Sequence, residues 1–532
     1  MHGLGLFSIG QRALDRINCS SLRREIVFAG LLALPCDLAH AQTLGTQAQV
    51  EEAKKEPLQS PQAAEGLKKQ PVKSTKTLVK EPKEEKENKK PALSEKLTEL
   101  PTSEQPSISS MIPALKNFKR GLLDRGFNFQ LNYTGEVFGN PTGGVRQRGV
   151  YEDLFEAALD GDLDKIAGLK GASFHINAYH IDGQGLSACC IFNALTISAI
   201  EARPSTRLYE AWFEEKLFSD NASIRVGQLG ADTEFFISEF GALYLNATFG
   251  WPNILAADLP STGPNYPLAT PAIRLKVTPT DRVTLLTALF NGDTSGARFT
   301  GLQEILDPAG VNFRLSDPPF VITEAQYKYN QDKNSSGLAG TVKLGGWYQF
   351  GMLFNDPHYG ANGLSLANPL STGVALKHRG DYGVYGIIDQ MVWCPPGDDR
   401  KKGIGVFARA SASPPDRNVV NFYVDGGVNF IGLLDKRPAD VFGVAVAYSP
   451  VSPSVSALDA DTAFFSGTTL PIRDYEMALE LTYQASIVPG VIIQPDFQYI
   501  FHPRYGAIDP INPAMGRIRN AASFGLHTNI KF

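Results

Sequence analysis

From Gly126 to the C-terminus the chain alternates apolar and polar residues with a period of two. In FNFQLNYTGEV, residues Phe127, Phe129, Leu131, Tyr133 and Val137 alternate with Asn128, Gln130, Asn132, Thr134 and Glu136. LFEAALDGDLD sets Phe155, Ala157, Leu159 and Leu163 against Glu156, Asp160 and Asp162. Near the end, Tyr475, Met477, Leu479, Leu481 and Tyr483 oppose Glu476, Glu480, Thr482 and Gln484. Successive side chains of a strand point to opposite faces, so each segment has one apolar and one polar face. Sixteen such strands are predicted, near 127–138, 154–165, 172–182, 206–218, 222–229, 271–278, 282–290, 321–329, 338–350, 382–394, 403–411, 418–430, 441–449, 474–485, 490–501 and 519–532. The gaps at 219–221, 279–281 and 486–489 are tight, and those at 183–205, 230–270, 291–320, 351–381, 450–473 and 502–518 are long. The short gap at 412–417 is the exception on the long side.

A soluble sandwich alternates in the same way, so alternation alone does not choose the class. The polar faces carry charges that a packed soluble core would not accept. Short turns at one end and long loops at the other describe an outer-membrane barrel. Sixteen strands leave an aqueous lumen, and closure leaves no sheet edge for lipid to solvate. The expected fold is therefore all-β, a transmembrane antiparallel β-barrel of about 16 strands over residues 116–532. No apolar run beyond the N-terminus reaches the ~18 residues of a spanning helix, so any crossing is by strands.

The N-terminal residues read differently. Arg12, Arg16, Arg23 and Arg24 precede the apolar run IVFAGLLAL and then Ala39-His40-Ala41, the pattern of a signal peptide over 1–41. Cys36 raises a lipoprotein reading, against which Pro35 stands. Residues 42–115 are rich in Lys, Glu, Pro and Gln. They hold too few apolar groups to offset the entropy of ordering, so a disordered, low-complexity periplasmic tether is expected. Peptidoglycan is its candidate partner.

Between two predicted strands lies GADTEFFISEFGALYLNATFGWPNILAADLPSTGPNYPLATP, residues 230–271. Loops this long are uncommon and usually functional or disordered. Phe235, Phe236, Phe240, Tyr244, Phe249 and Trp251 need something to pack against, and the lumen is the available place. The segment is read as an inward-folded constriction loop. EFFISEFGALYLNATFGWP followed by LPSTGPNYPLATPAIRLK resembles the carbohydrate-selective porin family (OprB type) of Gram-negative outer membranes. GVYEDLFEAALDGDLDKIAGLKG and the terminal HTNIKF add to the likeness. The resemblance covers roughly residues 120–532. It implies small sugars as the solute, passive transport, no cofactor and no catalysis.

Composition narrows the remainder. With 50 basic and 55 acidic residues the net charge is −5, and no nucleic-acid footprint is visible. Gly 50, Phe 31 and Tyr 18 suit many turns and two aromatic girdles. Five cysteines show no metal spacing; Cys189 and Cys190 read as two thiols or a vicinal bridge. His358 and His378 fall in predicted loops without partners, and no cluster has metal-ligand spacing. A terminal Phe532 on an amphipathic strand resembles a signal for the barrel assembly machinery. Outer-membrane lipid and lipopolysaccharide are the expected surroundings. Monomer and homotrimer both stay open.

A pore selects by a constriction that replaces part of the solute's hydration and binds weakly enough to release it. Sugars offer hydroxyls and a CH-rich face, so charged side chains mixed with aromatic rings are the chemistry to seek. In TRLYEAWFEEKLF, Tyr209, Ala211 and Phe213 are read as the lipid side, leaving Glu210, Trp212, Glu214 and Lys216 inward. The same phasing turns Arg225, Arg274 and Lys276 inward. The loop adds Asp232, Glu234, Glu239, Trp251 and Asp258. The candidate constriction is Glu210, Trp212, Arg225, Glu234, Trp251, Asp258, Arg274 and Lys276. Against it stands a plainer reading: lumen charges give any porin a transverse field, Trp212 and Trp251 anchor the loop, and Glu234 neutralises the basic wall. A general or ion-selective porin and a barrel anchor to the cell wall are the alternatives. A barrel hydrolase would need Ser173 and His175 to work together, with no orienting group visible.

Overall fold

The structure, a computed structural model, describes residues 107–332, 335–396 and 402–532. The expected signal peptide and the tether up to residue 106 lie outside the described residues. Sixteen antiparallel strands close into one barrel, with the last pairing back onto the first. The first eight are β1 (Phe127–Gly144), β2 (Gly149–Asp162), β3 (Ala172–Gly183), β4 (Ser205–Leu217), β5 (Ala222–Leu229), β6 (Thr270–Thr280), β7 (Val283–Asn291) and β8 (Pro319–Tyr329). The others are β9 (Gly340–Gly360), β10 (Ala375–Trp393), β11 (Gly403–Ala412), β12 (Phe422–Ile431), β13 (Val441–Pro450), β14 (Tyr475–Val488), β15 (Val491–Phe501) and β16 (Arg519–Lys531). Each predicted strand has its counterpart, because the period-two pattern marks every segment that has lipid on one side and the lumen on the other.

The outward positions are apolar and uncovered, as in Ile273, Leu275, Leu344, Val384, Phe524 and Leu526. No described helix is long and apolar enough to cross a membrane. Aromatic pairs sit at both ends of the barrel. Tyr327 with Tyr329 and Phe430 with Phe442 lie at the short-turn end, and Tyr448 with Tyr475 and Tyr499 with Phe501 at the other.

Three departures from the sequence reading have physical causes. First, β9 and β10 run past their predicted ends, so the expected 351–381 loop shrinks to 361–374. Beyond the bilayer the hydrophobic alternation stops, but backbone pairing continues and polar side chains pair across it. His378 meets Asp356 at 2.9 Å, and His358 meets Asp461 at 2.8 Å on the helix Pro453–Ser466. Both histidines are therefore partnered rather than isolated in loops. Second, Leu163 does not extend β2. It opens the short helix Leu163–Ala167, whose start is capped by the Asp162 carboxylate on the amides of Asp164 and Lys165. Third, residues 107–115, expected as the end of the tether, form the turn Ile108–Met111 and the start of helix α1 (Pro113–Asp124).

The core is inside the barrel. Phe235, Phe236, Phe249, Ile254 and Leu255 of the 230–269 loop are fully buried in the lumen with Leu186, Ile191, Leu195 and Ile197 of the 184–204 loop. The sequence marks the second of these loops only by its length. Its inward course is visible where Ala247 donates to the Thr196 carbonyl and Ala199 to the Leu245 carbonyl, both at 2.9 Å. Within it Cys189 and Cys190 are bonded to each other. The end of β1 must pass close by: a Cβ on Gly144 would lie 2.6 Å from the Cys190 carbonyl oxygen, and its φ is +66°. Glycine meets both demands.

Candidate functional site in the barrel lumen

The 230–269 loop enters from β5 and returns to β6, so its first residues meet the wall formed by β4, β5 and β6. Register places Arg225 directly opposite Arg274, with Glu214 opposite Arg225 on the other side. Two facing guanidiniums would repel each other without counter-charge. Glu214 from the wall and Glu234 from the loop supply it. Arg225 reaches Glu214 at 2.8 Å and Glu234 at 3.2 Å, and Arg274 reaches Glu234 at 2.7 Å and Glu214 at 3.1 Å. Ser223 accepts a further bond from Arg274 at 2.7 Å. Arg225 is 3% and Arg274 1% exposed, so the quartet is closed and electrically neutral. Burial pushes the Glu234 carboxyl up, but the Arg225 and Arg274 guanidiniums outweigh it and hold the group below its ordinary value.

Arg225 also lies over the Trp212 ring, 3.7 Å from guanidinium carbon to centroid. Trp212 stacks on His175 at 5.2 Å, and His175 bonds Asp160 at 2.7 Å. Asp160 is thus the orienting group that the sequence did not reveal for His175. Among the described residues Ser173 makes no hydrogen bond to that imidazole, which is committed to Asp160 and Trp212. The same wall carries a run of amide–carboxylate pairs. Asp160 accepts from Asn128 at 3.0 Å and Gln130 at 2.9 Å, and Glu156 from Asn132 at 2.8 Å and Asn177 at 2.9 Å. Asn128, Gln130, Asn132, Glu156, His175 and Trp212 are each only part-buried.

Glu210 and Asp232 fasten the loop mouth next to the quartet. Glu210 accepts from the Gly230 amide at 2.9 Å and the Thr233 hydroxyl at 3.4 Å. Asp232 accepts from the Tyr209 hydroxyl at 2.5 Å and the Tyr266 amide at 2.9 Å. Tyr209 therefore faces the lumen, 2% exposed, and not lipid. The cause is a register break between β3 and β4, where Ile176 pairs with Ala211 but Ala178 with Leu208. One extra residue on β4 reverses the phase above it.

Burial lifts Asp232 to about 6, although the Tyr209 and Tyr266 bonds favour its charged form. Its unfolded value is about 4. A raised value supplies stability that is complete below about pH 4 and lost as pH rises through about 6. Amide hydrogen exchange at residues 230–235, corrected for intrinsic rate, is expected to be slower at pH 4 than at pH 7. Asp232→Asn should make the two conditions alike.

The far side of the loop is held by groups spread around the wall. Phe236 stacks on Tyr385 at 4.0 Å, with its amide donating to Glu324 at 2.9 Å. Glu480 accepts from the amides of Leu245 and Asn246, and Glu476 from those of Ala194 and Leu195 in the neighbouring loop. Arg409 bonds Asp425 at 3.0 Å and donates to the carbonyls of Phe236 at 2.8 Å, Thr248 at 2.8 Å and Gly250 at 3.1 Å. Arg409, Asp425, Glu476, Glu480 and Glu324 are absent from the candidate set drawn from sequence. Their signal was present in part: each is a charge on the inward phase of a strand.

Trp212, Arg225, Glu234 and Arg274 thus come together, with Glu210 beside them. Lys276 is the next inward position on β6 and is half-buried. Trp251 and Asp258 sit apart in the return arm of the loop. The Trp251 indole donates to the Thr262 carbonyl at 3.1 Å. Asp258 accepts from the Val420 amide at 3.2 Å and the Ser413 hydroxyl at 3.3 Å, and burial with the nearby Asp381 charge raises its carboxyl well above the usual range. The lumen wall thus presents a preorganised surface of amides, carboxylates and one stacked aromatic column.

Residues 146–532 match the model of the family described as carbohydrate-selective porin, OprB family. Porin B of Pseudomonas aeruginosa is 25% identical over 422 residues, which is 74% of this chain and 86% of that protein. A solved structure of Pseudomonas putida OprB at high pH superposes with a TM-score of 0.68 at 24% identity. That match covers 78% of this chain and 97% of the other.

Proposed function

We propose, because the chain belongs to the OprB family of carbohydrate-selective porins and forms an outer-membrane channel, that small sugars cross it by passive diffusion toward the periplasm. The observation that carries this reading is the His175–Trp212–Arg225 column beside the amide–carboxylate wall of β1 to β3. The open edge of the Trp212 ring can lie against the CH surface of a sugar while paired amides and carboxylates bond its hydroxyls. No net charge is needed at the contact, which suits a neutral solute.

A second reading, a general or cation-selective porin, draws on the acidic character of the same wall, where Glu136 and Glu152 stand opposite each other near Glu156 and Asp160. Single-channel recording with glucose, maltose and an uncharged non-sugar of equal size separates the two. Block by the sugars alone supports the first; indifference to all three leaves only the second. Trp212→Ala is expected to weaken glucose block about tenfold, or ~1.4 kcal/mol, with the open-channel conductance little changed.

A further inference from the structure

Helix α1 is two-sided, and Ile112, Leu115 and Phe118 on its apolar side are exposed while Leu122 is half-buried. At 3.6 residues per turn Ile112, Leu115, Phe118 and Leu122 share one side, while Lys116, Asn117, Arg120 and Asp124 share the other. No residue of the helix is fully buried, and Phe118 is 63% exposed. An amphipathic helix that folds onto a protein core would show the reverse.

The place of the helix says what that side faces. Just before it, Ser107 meets the turn between β14 and β15, where a Cβ on Gly490 would lie 2.5 Å from the Ser107 Cα. Midway along, Lys119 donates to the Phe532 carbonyl, immediately past β16. At its end, Lys165 beyond β2 donates to the Leu123 carbonyl at 3.4 Å, and the Asp162 amide to the Gly126 carbonyl at 2.8 Å. The segment passes the ends of β15, β16, β1 and β2 in turn, so it runs along the rim, across the strands. A helix along the rim of a membrane barrel lies in the plane of the membrane surface. The apolar side chains nearest this rim, Phe129 on β1 and the terminal Phe532, are themselves exposed, and the apolar side of α1 continues that belt. Lys116, Arg120 and Arg125 stand against a single acid, Asp124, in a chain whose net charge is −5.

We propose that α1 is an interfacial helix that docks on anionic phospholipid headgroups of the leaflet at the short-turn end. Ile112, Leu115 and Phe118 enter the acyl boundary, and Lys116, Arg120 and Arg125 meet the lipid phosphates. The helix thereby clamps the seam where β16 closes onto β1.

The test uses the full chain, reconstituted in vesicles of phosphatidylcholine alone or with phosphatidylglycerol. A spin label is placed at Phe118→Cys in a background with Cys19→Ser, Cys36→Ser and Cys394→Ser, and samples are taken forward only if they form channels. The label is expected to be more accessible to oxygen than to a nickel chelate when phosphatidylglycerol is present, with the reverse for a label at Asn117→Cys. Arg120→Ala should lower the immersed-to-exposed ratio about fivefold in anionic vesicles. Leu115→Cys gives the same readout should the first variant fail to fold. A Phe118 label exposed to water in both vesicles overturns the proposal, as does immersion indifferent to lipid charge. Protection seen only in native membranes, and in neither vesicle, also overturns it in favour of a protein occupant.

Discussion

Arg409→Ala is expected to loosen the inward loop and raise single-channel conductance several-fold while the barrel stays closed. Arg409 binds three loop carbonyls at once, those of Phe236, Thr248 and Gly250, while neutralising Asp425. Removing it leaves Asp425 buried without its partner, and the loss of one member of a buried pair costs about 3–5 kcal/mol. The three carbonyls lose their donor as well. Barrel strands keep their ladder bonds throughout, so the cost falls on the loop. Planar-bilayer recording would show larger and noisier openings, and liposome swelling would admit oligosaccharides that the parent excludes. Arg409→Met with Asp425→Leu separates the two contributions. It removes the unpaired charge, so thermal stability should recover, but the carbonyls of Phe236 and Gly250 stay unbound, with only that of Thr248 kept by the Tyr423 hydroxyl, and conductance should remain high. Unchanged conductance in both variants would mean that the wall acceptors Glu324 and Glu480 hold the loop without Arg409.

Glu234→Gln is expected to shift the channel toward anions, and Arg274→Gln toward cations. The quartet of Arg225, Arg274, Glu214 and Glu234 is balanced, two charges against two. Replacing Glu234 by its isosteric amide leaves one uncompensated positive charge at the loop mouth. Two unit charges 6 Å apart at an effective dielectric of 20 interact by about 3 kcal/mol, which salt then screens. A change in the anion-to-cation permeability ratio on the order of tenfold at low salt is the expected size. The reversal potential in a salt gradient measures it directly. The two substitutions should move that potential in opposite directions, and the shift should fade as ionic strength rises. Movement in the same direction would mean that loop displacement, not charge, governs the result.

The relation between sequence and site follows from these residues. Arg225, Arg274, Trp212 and Glu214 could be placed inward by phase alone, since a strand with lipid on one side has a single admissible orientation. Tyr209 could not, because one extra residue on β4 reversed the phase and nothing in RLYEAW announces it. Glu234 could be seen as a neutraliser of basic groups only in kind; its two partners are brought together by the register of β5 and β6. The role of Arg409 was hidden further, since its acceptors are carbonyls some 160 to 170 residues away and carry no residue identity.

The residue pattern was enough for the barrel: sixteen strands, their two faces, the closing C-terminal strand and an aromatic loop too long and too apolar to stay in water. These follow from local alternation against two solvents, a constraint that each segment satisfies on its own. The tertiary structure alone decided how the lumen is filled. It brought the 184–204 loop in beside the 230–269 loop, closed the four charges into a square and laid α1 along the rim. Those outcomes depend on which distant groups meet across the barrel. Buried donors, acceptors and charges must all be satisfied together, and that condition is set by the closed wall as a whole.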